Sequence, residues 1–486
     1  MVFSTSWTAD ENQMEVRPSI LQGTWYPSTS QALGSQVDTL LQAAPSVQLP
    51  GSLRALIVPH AGYAYSGRCA AHAYRALADR QYRRVIVLAP SHYGGFRGGS
   101  ILPVSYYETP LGLVEVDQEA VRSLRAHPLI GVQVEAELRE HSLEIQLPFL
   151  QRSLSGFKLV PLLIGQLARE EYPVLAGEIQ RQVDDHTLLI ASSDFTHYGP
   201  RFGYLPFDRE IPYRIWMLDS HALARIQERD VEGFLHYVAD TGATICGFRP
   251  IALLLQSLPE DVRGQVLDYY SSGEMTGDYT NSVSYAALVF TCDPERLDGE
   301  EKRTLLSIAR DTMELYLRMG QMLEVENGPY VLTERLQRRL GTFVTLEKEG
   351  RLRGCIGNVL PNKPLYESVR DNAIHAAVRD PRFPAMAVEE VPQVRLEVSV
   401  LSTLKRVATL REIWVGRHGL LVRKGSRSGL LLPRVALDHR WDLQTFLENA
   451  CLKAGLQPQD WKEGAEVYLF TTQSLAERKG LGEESV

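Results

Sequence analysis

Histidines that follow short apolar runs are the residues of this sequence best placed to do chemistry. His60 stands in Pro59-His60-Ala61-Gly62, directly after the run 56–58, and His92 stands in Pro90-Ser91-His92-Tyr93-Gly94-Gly95, directly after the run 85–89. A third run, 187–191, leads into Ser192-Ser193-Asp194-Phe195-Thr196-His197-Tyr198-Gly199, and a fourth, 159–164, into Gly165-Gln166. Neutral imidazole is the commonest metal ligand, and glycines at such junctions let the backbone approach a ligand closely. A site built from His60, His92, Asp194 and His197 is therefore expected. A single histidine at a strand end is more often a cap on a backbone carbonyl; the repetition of strand, proline, histidine and glycine is what favours ligation. Asp194 and His197 fit three roles: metal ligands, an orienter with a proton carrier that titrates near neutral pH, or plain loop stabilisation. Cys246, in a Gly-flanked turn at an expected helix start, is either a thiolate favoured by the helix dipole or a small buried hydrophobe. A helix through residues 140–150 would stack His141 and Glu144 on adjacent turns, with Glu144 orienting His141 as a support or substrate contact; an exposed helix pair is the plain alternative.

These residues need a scaffold, and the apolar runs supply one. Continuous runs separated by helix-sized segments fit strands buried on both faces of a parallel or mixed sheet, whose ligand site lies beyond the strands' carboxyl ends. Helices are expected at 35–43, 69–79, 117–126, 214–227, 231–240 and 251–257, with further strands at 53–58, 265–271 and 282–291. The polar stretch 292–303 marks a boundary, and the helix after it carries Ile308, Thr312, Leu315 and Met319 on one face. Strands at 341–347, 394–401 and 419–422 and helices at 366–378 and 443–454 then give an α+β pattern in place of the alternating one. The expected organisation is a flexible leader (1–15), a metal-binding α/β domain (16–293), a linker (294–304), an α+β domain (305–475) and a flexible tail (476–486). In the second domain Arg353-Gly354-Cys355-Ile356-Gly357 is the most distinctive string: Arg353 and Cys355 face a small cleft or belong to a packed turn. Arg423, Lys424 and Arg427 tip a hairpin and read as a solvated turn more readily than as an anion site.

Length and composition set outer limits. A chain of 486 residues exceeds one ordinary core. The net charge of -8 is spread along the chain, which argues against a nucleic-acid partner. No apolar run reaches the roughly 20 residues of a membrane span, and the N-terminus lacks the pattern of a secretory signal. Five irregularly spaced cysteines point to reduced thiols and a cytoplasmic location.

Five motifs in register, PHAGYAYSG, LAPSHYGG, EHSLEIQLPFL, SSDFTHYG and TICGFRPI, resemble the Memo family, whose fold is similar to the LigB-type class III extradiol dioxygenases. Between residues 305 and 472, GTFVTLEKEGRLRGCIG, DNAIHAAVRDPRF, LEVSVLS, GRHGLLVRKGSRSGLLLP and FLENACLKAGL resemble the AMMECR domain. Together with a radical SAM protein, these two domain types form the AmmeMemoRadiSam system of bacteria and archaea, as its proteins B and A; here the two are joined in one chain. The resemblance implies a LigB-like α/β sheet with helices on both faces, followed by a smaller α+β domain. It places metal ligands at His60, His92 and Cys246, with Asp194 and His197 lining the same pocket. Extradiol dioxygenases hold iron(II) with two histidines and a carboxylate. Cys246 departs from that set: iron(II) stays the expected metal, the softer thiolate brings in copper(I) as the alternative, and ring cleavage is not inherited with the fold. The implied function is a non-haem iron oxidoreductase acting on a small-molecule or peptide substrate, with the radical SAM protein as partner. His197 would act as acid or base, supported by Asp194 and His141, while the AMMECR domain, with Arg353 and Cys355, would bind substrate or partner. The alternative is a non-enzymatic iron- or copper-binding or adaptor protein that uses the same pocket.

Overall fold

Four of the apolar runs become the parallel centre of a nine-stranded sheet. The computed structural model describes residues 15–49, 51–259, 262–292, 296–360, 362–439 and 441–477. The central strands are β1 (Leu53–Val58), β2 (Arg84–Pro90), β3 (Lys158–Ile164) and β4 (Thr187–Ser192). They lie in the order β1-β4-β2-β3, every neighbour parallel. Almost all of their residues are buried, because helices cover both faces; that is why the runs are apolar without alternation. β5 (Val262–Ser271) and β6 (Ser282–Cys292) extend the sheet antiparallel beyond β1. One helical layer contains Ser30–Ala43, Tyr63–Arg75 and Leu147–Ser153, the other Glu171–Gln180 and Phe248–Ser257. All four parallel strands end at one edge of the sheet, which brings together the loops that begin at Pro59, Ser91, Gly165 and Ser193.

Two local expectations change here. The helix after β1 starts at Tyr63, not near residue 69, with Gly62 at its N-cap, so it packs immediately behind the His60 loop. Residues 140–143 are not helical: a short 3-10 turn, Glu144–Gln146, precedes the Leu147–Ser153 helix, whose first turn contains Pro148. Proline is suited to a helix's first turn and disfavours helix before it. His141 and Glu144 therefore do not share a helix face.

The chain divides into two compact units between residues 294 and 295. The second opens with helix Gly299–Met319, capped reciprocally by Asp298 and Glu301, so residues 299–304 are helix and not linker. Its buried stripe is Leu305, Ile308, Ala309, Thr312 and Met313, and Met319, on the face expected from sequence, is 66% exposed beside the C-cap Gly320. This helix and Leu365–Val378 cover one face of a four-stranded antiparallel sheet, ordered Arg351–Asn358, Thr342–Lys348, Val394–Leu401, Thr472–Ala476. A second four-stranded sheet, which includes Gly419–Lys424 and Arg427–Leu431, packs on helix Leu443–Lys453. Leader residues 1–14, linker residues 294 and 295 and tail residues 478–486 lie outside the described residues. Ala476, assigned to the tail, is the last residue of a paired strand. No helix among the described residues is long and apolar enough to cross a membrane.

Candidate metal centre

His60 is fixed from both sides of its ring. Its backbone N–H donates to Asp194 Oδ1 at 2.7 Å, which ties the loop after β1 to the loop after β4. Its Nδ1 lies 3.0 Å from Ser192 Oγ. That hydroxyl donates its one proton to the Ser142 carbonyl at 2.6 Å and accepts from Gln146 Nε2 at 2.9 Å. With the hydroxyl proton committed, Nδ1 must be the donor, so Nε2 keeps the lone pair. Nε2 is 3.1 Å from Cys246 Sγ. Burial and then the neighbouring imidazoles of His92, His141 and His197 hold the His60 pKa well below its usual value, so the ring is neutral, the form that binds metal.

His92 is set by a carboxylate. Its Nδ1 lies 2.8 Å from Glu140 Oε1 and its N–H donates to Glu140 Oε2 at 2.7 Å. Glu140 Oε1 also accepts the backbone N–H groups of His141 and Ser142, each at 3.0 Å. Burial alone would raise this carboxyl; hydrogen bonds from His92 and the imidazoles of His92 and His141 outweigh it and bring the pKa down to about 2. An ionised Glu140 accepts a hydrogen bond from Nδ1–H, which stays on the ring and leaves Nε2 of His92 as the lone-pair nitrogen, the usual carboxylate–histidine support of a metal ligand.

Cys246 reaches the two histidines because Gly247 has no side chain. A Cβ there would sit 2.4 Å from Ser193 Cβ and 2.5 Å from the Ser192 carbonyl oxygen, so a larger residue would push the turn off β4. The Asp194 N–H donates to Cys246 Sγ at 3.3 Å. Burial, and next the Asp194 charge, push the Cys246 thiol well up. The helix that starts at Phe248 does not reverse this, so the thiol of the metal-free protein is protonated, contrary to the dipole argument from sequence. Metal binding would release that proton. One ligand atom from each of His60, His92 and Cys246 lies within 4.8 Å of the other two, close enough to share one ion.

Asp194 and His197 fall outside that set. Asp194 is buried and acts as the clamp on the His60 loop; burial raises its carboxyl pKa against the pull of His197 and the His60 N–H. His197 Nδ1 lies 2.8 Å from the Phe195 carbonyl oxygen and 3.0 Å from that of Thr244. Two acceptors require a proton on Nδ1, so His197 Nε2 is a lone-pair nitrogen suited to accept one. His141 packs between Trp25 and His92, with ring centroids 4.5 Å from each, and lies 3.3 Å from Glu140. Burial, then the charge of His92, lowers its pKa to about 4. Among the described residues, His92, Glu140 and His141 form the other grouping close enough to share an ion.

Glu144 does not orient His141. Its fully buried carboxylate accepts from Arg17, from Ser19 at 2.8 Å, from the Tyr26 hydroxyl at 2.7 Å and from the backbone N–H groups of Ile20 and Leu21. It anchors the segment that carries Trp25. Sequence reasoning missed Glu140, Ser192, Gln146 and Trp25. Glu140 left one trace, an acid directly before His141; the others left none.

In the second unit Arg353 is committed: Glu390 holds it at 2.9 and 3.1 Å and the Pro384 carbonyl at 3.1 Å, so it is not a free cleft residue. The basic hairpin tip is also paired, Arg423 with Glu466, Lys424 with Asp460 and Arg427 with the Gly455 carbonyl.

Comparison with known proteins follows the same division. A family model described as Memo-like protein matches residues 17–289, and one described as AMMECR1 matches residues 306–475. Protein MEMO1 of Danio rerio is 33% identical over 293 residues, 57% of this chain and 97% of that protein. A Methanopyrus kandleri protein is 43% identical over 198 residues, 39% of this chain and 94% of that protein. The crystal structure of an uncharacterized Pyrococcus horikoshii protein aligns at 39% identity with a TM-score of 0.35, over 37% of this chain and 92% of that one.

Proposed function

The chain belongs to the Memo-like family through residues 17–289 and carries an AMMECR1 domain over residues 306–475, and from that premise we propose that its first unit is a metal-dependent oxidoreductase. The observation that carries this reading is the pair of tautomer locks. Ser192 on His60 and Glu140 on His92 each occupy Nδ1 and leave Nε2 free, with the Cys246 sulfur 3.1 Å from one of those nitrogens. His60, His92 and Cys246 would hold the ion, with iron(II) the proposed metal. Iron(II) held there would supply a redox-active Lewis acid with open coordination positions. The chain's own contribution is positional. Asp194 fixes the His60 loop, Glu140 fixes His92, and His197, its Nδ1 committed, offers Nε2 to take a proton from a reacting group. A positioned base of this kind contributes about 10²–10⁴-fold to a rate. His141, held between Trp25 and His92, supports the wall of the site. A small-molecule or peptide substrate and a radical SAM partner are proposed on the family resemblance.

One observation favours a second reading, a non-enzymatic metal-binding or adaptor protein. The set contains a thiolate donor where extradiol dioxygenases have a carboxylate, and soft sulfur suits copper(I). Anaerobic purification with metal quantification, followed by exposure to nitric oxide, separates the two. One iron(II) per chain that binds nitric oxide supports the oxidoreductase. Copper(I) or zinc in a closed site inert to the gas overturns it.

A further inference from the structure

A cavity of about 320 Å³ lies beside the metal centre, walled by the loop after β2 and by the short helix Val134–Arg139. Tyr93 in that loop directly follows the ligand His92, and Arg139 directly precedes the Glu140 that holds His92. The cavity wall and the metal centre therefore share two backbone segments. His92 is also the most exposed of the three ligands, so the centre is open to solvent at His92. The space is left by a glycine: a Cβ on Gly95 would meet nothing within 4 Å. Phe96 supplies an apolar wall, and its ring reaches that position because Gly165 has no side chain; a Cβ there would stand 2.7 Å from Phe96 Cδ2. The exposed Val134 adds a second apolar contact.

Arg139 is the cation of this cavity. Its guanidinium carbon lies 4.6 Å from the centroid of the Tyr93 ring, a cation–π contact that steadies the group and uses none of its N–H donors. Among the described residues the Arg139 side chain donates no hydrogen bond. Its ion-pair partner Glu135 stands 4.0 Å away and is 92% exposed, so water weakens the pair. A guanidinium seated on an aromatic face, its fork of donors unspent, matches the two oxygens of an incoming carboxylate. One such group beside an exposed glutamate balances a single negative charge, which favours a carboxylate over a phosphate dianion. A concave, partly apolar space with one placed polar group is the usual form of a small-molecule site.

We propose that this cavity is the substrate pocket of the first unit and takes a small carboxylate, its charged end on Arg139 and its apolar body against Phe96 and Val134. That the ligand is a substrate rests on the oxidoreductase reading; that the cavity binds it does not.

Saturation-transfer NMR on the metal-free full chain can compare 4-methylpentanoate with 4-methylpentanamide, which has the same body and no charge. The acid should bind about tenfold more tightly at low salt, because a hydrogen bond between charged groups is the stronger kind. Arg139→Gln should remove that preference and leave the affinity for the amide as it is. Gly95→Val places a side chain in the cavity and should weaken both ligands by about tenfold or more. If Gly95→Val does not fold, Arg139→Gln decides the question alone. Equal affinities for acid and amide in the wild type overturn the pocket, as does a preference that survives Arg139→Gln. Wild-type binding in a folded Gly95→Val protein overturns it too. Because these titrations use metal-free protein, they are independent of the nitric oxide result: a closed metal site overturns the oxidoreductase reading alone, and loss of the acid's preference overturns the pocket alone.

Discussion

Replacing Glu140 by glutamine tests how the candidate metal centre is held together. Both carboxylate oxygens accept: Oε2 from the His92 N–H, and Oε1 from His92 Nδ1 and the N–H groups of His141 and Ser142. An amide has one acceptor atom, so its NH₂ must face an N–H whichever way it turns. The less damaging placement puts the NH₂ against the His92 N–H and leaves that part-buried donor without its partner, a loss of about 1 kcal/mol. For a unit of this size that corresponds to a fall in melting temperature of roughly 2–4 °C per kcal/mol. The variant also loses the negative charge that fixes the His92 tautomer. Removing such a support typically weakens metal binding by about 10–100-fold.

Glu144→Gln is the informative contrast. Its partner Arg17 is 2% exposed, and a buried guanidinium deprived of its carboxylate destabilises by about 3–5 kcal/mol. Glu144→Gln should therefore be the less stable variant and Glu140→Gln the weaker metal binder. Thermal melts, together with anaerobic iron(II) titrations against a competing chelator at a temperature where both variants are folded, separate the two effects. Wild-type affinity in Glu140→Gln would refute the tautomer argument. An equal loss in both variants would mean that the anchoring of the N-terminal segment, and not the Glu140–His92 pair, governs the site.

Cys246→Ser should keep the fold, read by circular dichroism, and lose bound metal by at least about tenfold, since a hydroxyl is a poor substitute for thiolate; full metal retention would remove Cys246 from the ligand set. His197→Ala should leave metal content unchanged while abolishing turnover, and loss of metal would make His197 a ligand. Glu137 predicts a pH effect. Burial raises its carboxyl pKa to about 7 despite hydrogen bonds from Ser100 and the Leu102 N–H, so the folded protein keeps a proton that the unfolded chain releases above its ordinary value of 4.5. Stability from this group is therefore lost as pH rises from about 4.5 to 7, by up to about 3 kcal/mol. Denaturant melts at pH 5 and 8 should show a smaller pH difference for Glu137→Gln than for wild type, and identical differences would refute the assignment.

The strands and their ends were legible because burial on both faces writes itself into sequence as unbroken apolar runs that stop where the strands stop. What positions the ligands was not legible, because it comes from far along the chain. Glu140 is 48 residues from His92, Ser192 is 132 from His60, and Cys246 is 186 from His60. Glu140 and Glu144 lie one and three residues from His141, and helical periodicity selects the wrong one. The choice between them depends on Pro148 delaying the helix and on Arg17 waiting in the core, and neither is visible as a local pattern.

Cys246 shows a different limit, one of magnitude and not of distance. A helix start was foreseen there, and the helix does begin two residues later at Phe248. The inference to a low thiol pKa still fails, because a helix terminus is worth about 0.3–1 kcal/mol, whereas burial of an ionised group outweighs that severalfold. The position supplies a helix dipole and also removes water, and the second effect is the larger. A protonated thiol beside the neutral His60 has no strong tendency to react by itself, which is compatible with a metal ligand and not with a free nucleophile. Alkylation of Cys246 in the metal-free protein should therefore be slower than that of an unstructured cysteine peptide, and a peptide-like rate read by mass spectrometry would refute the protonated thiol.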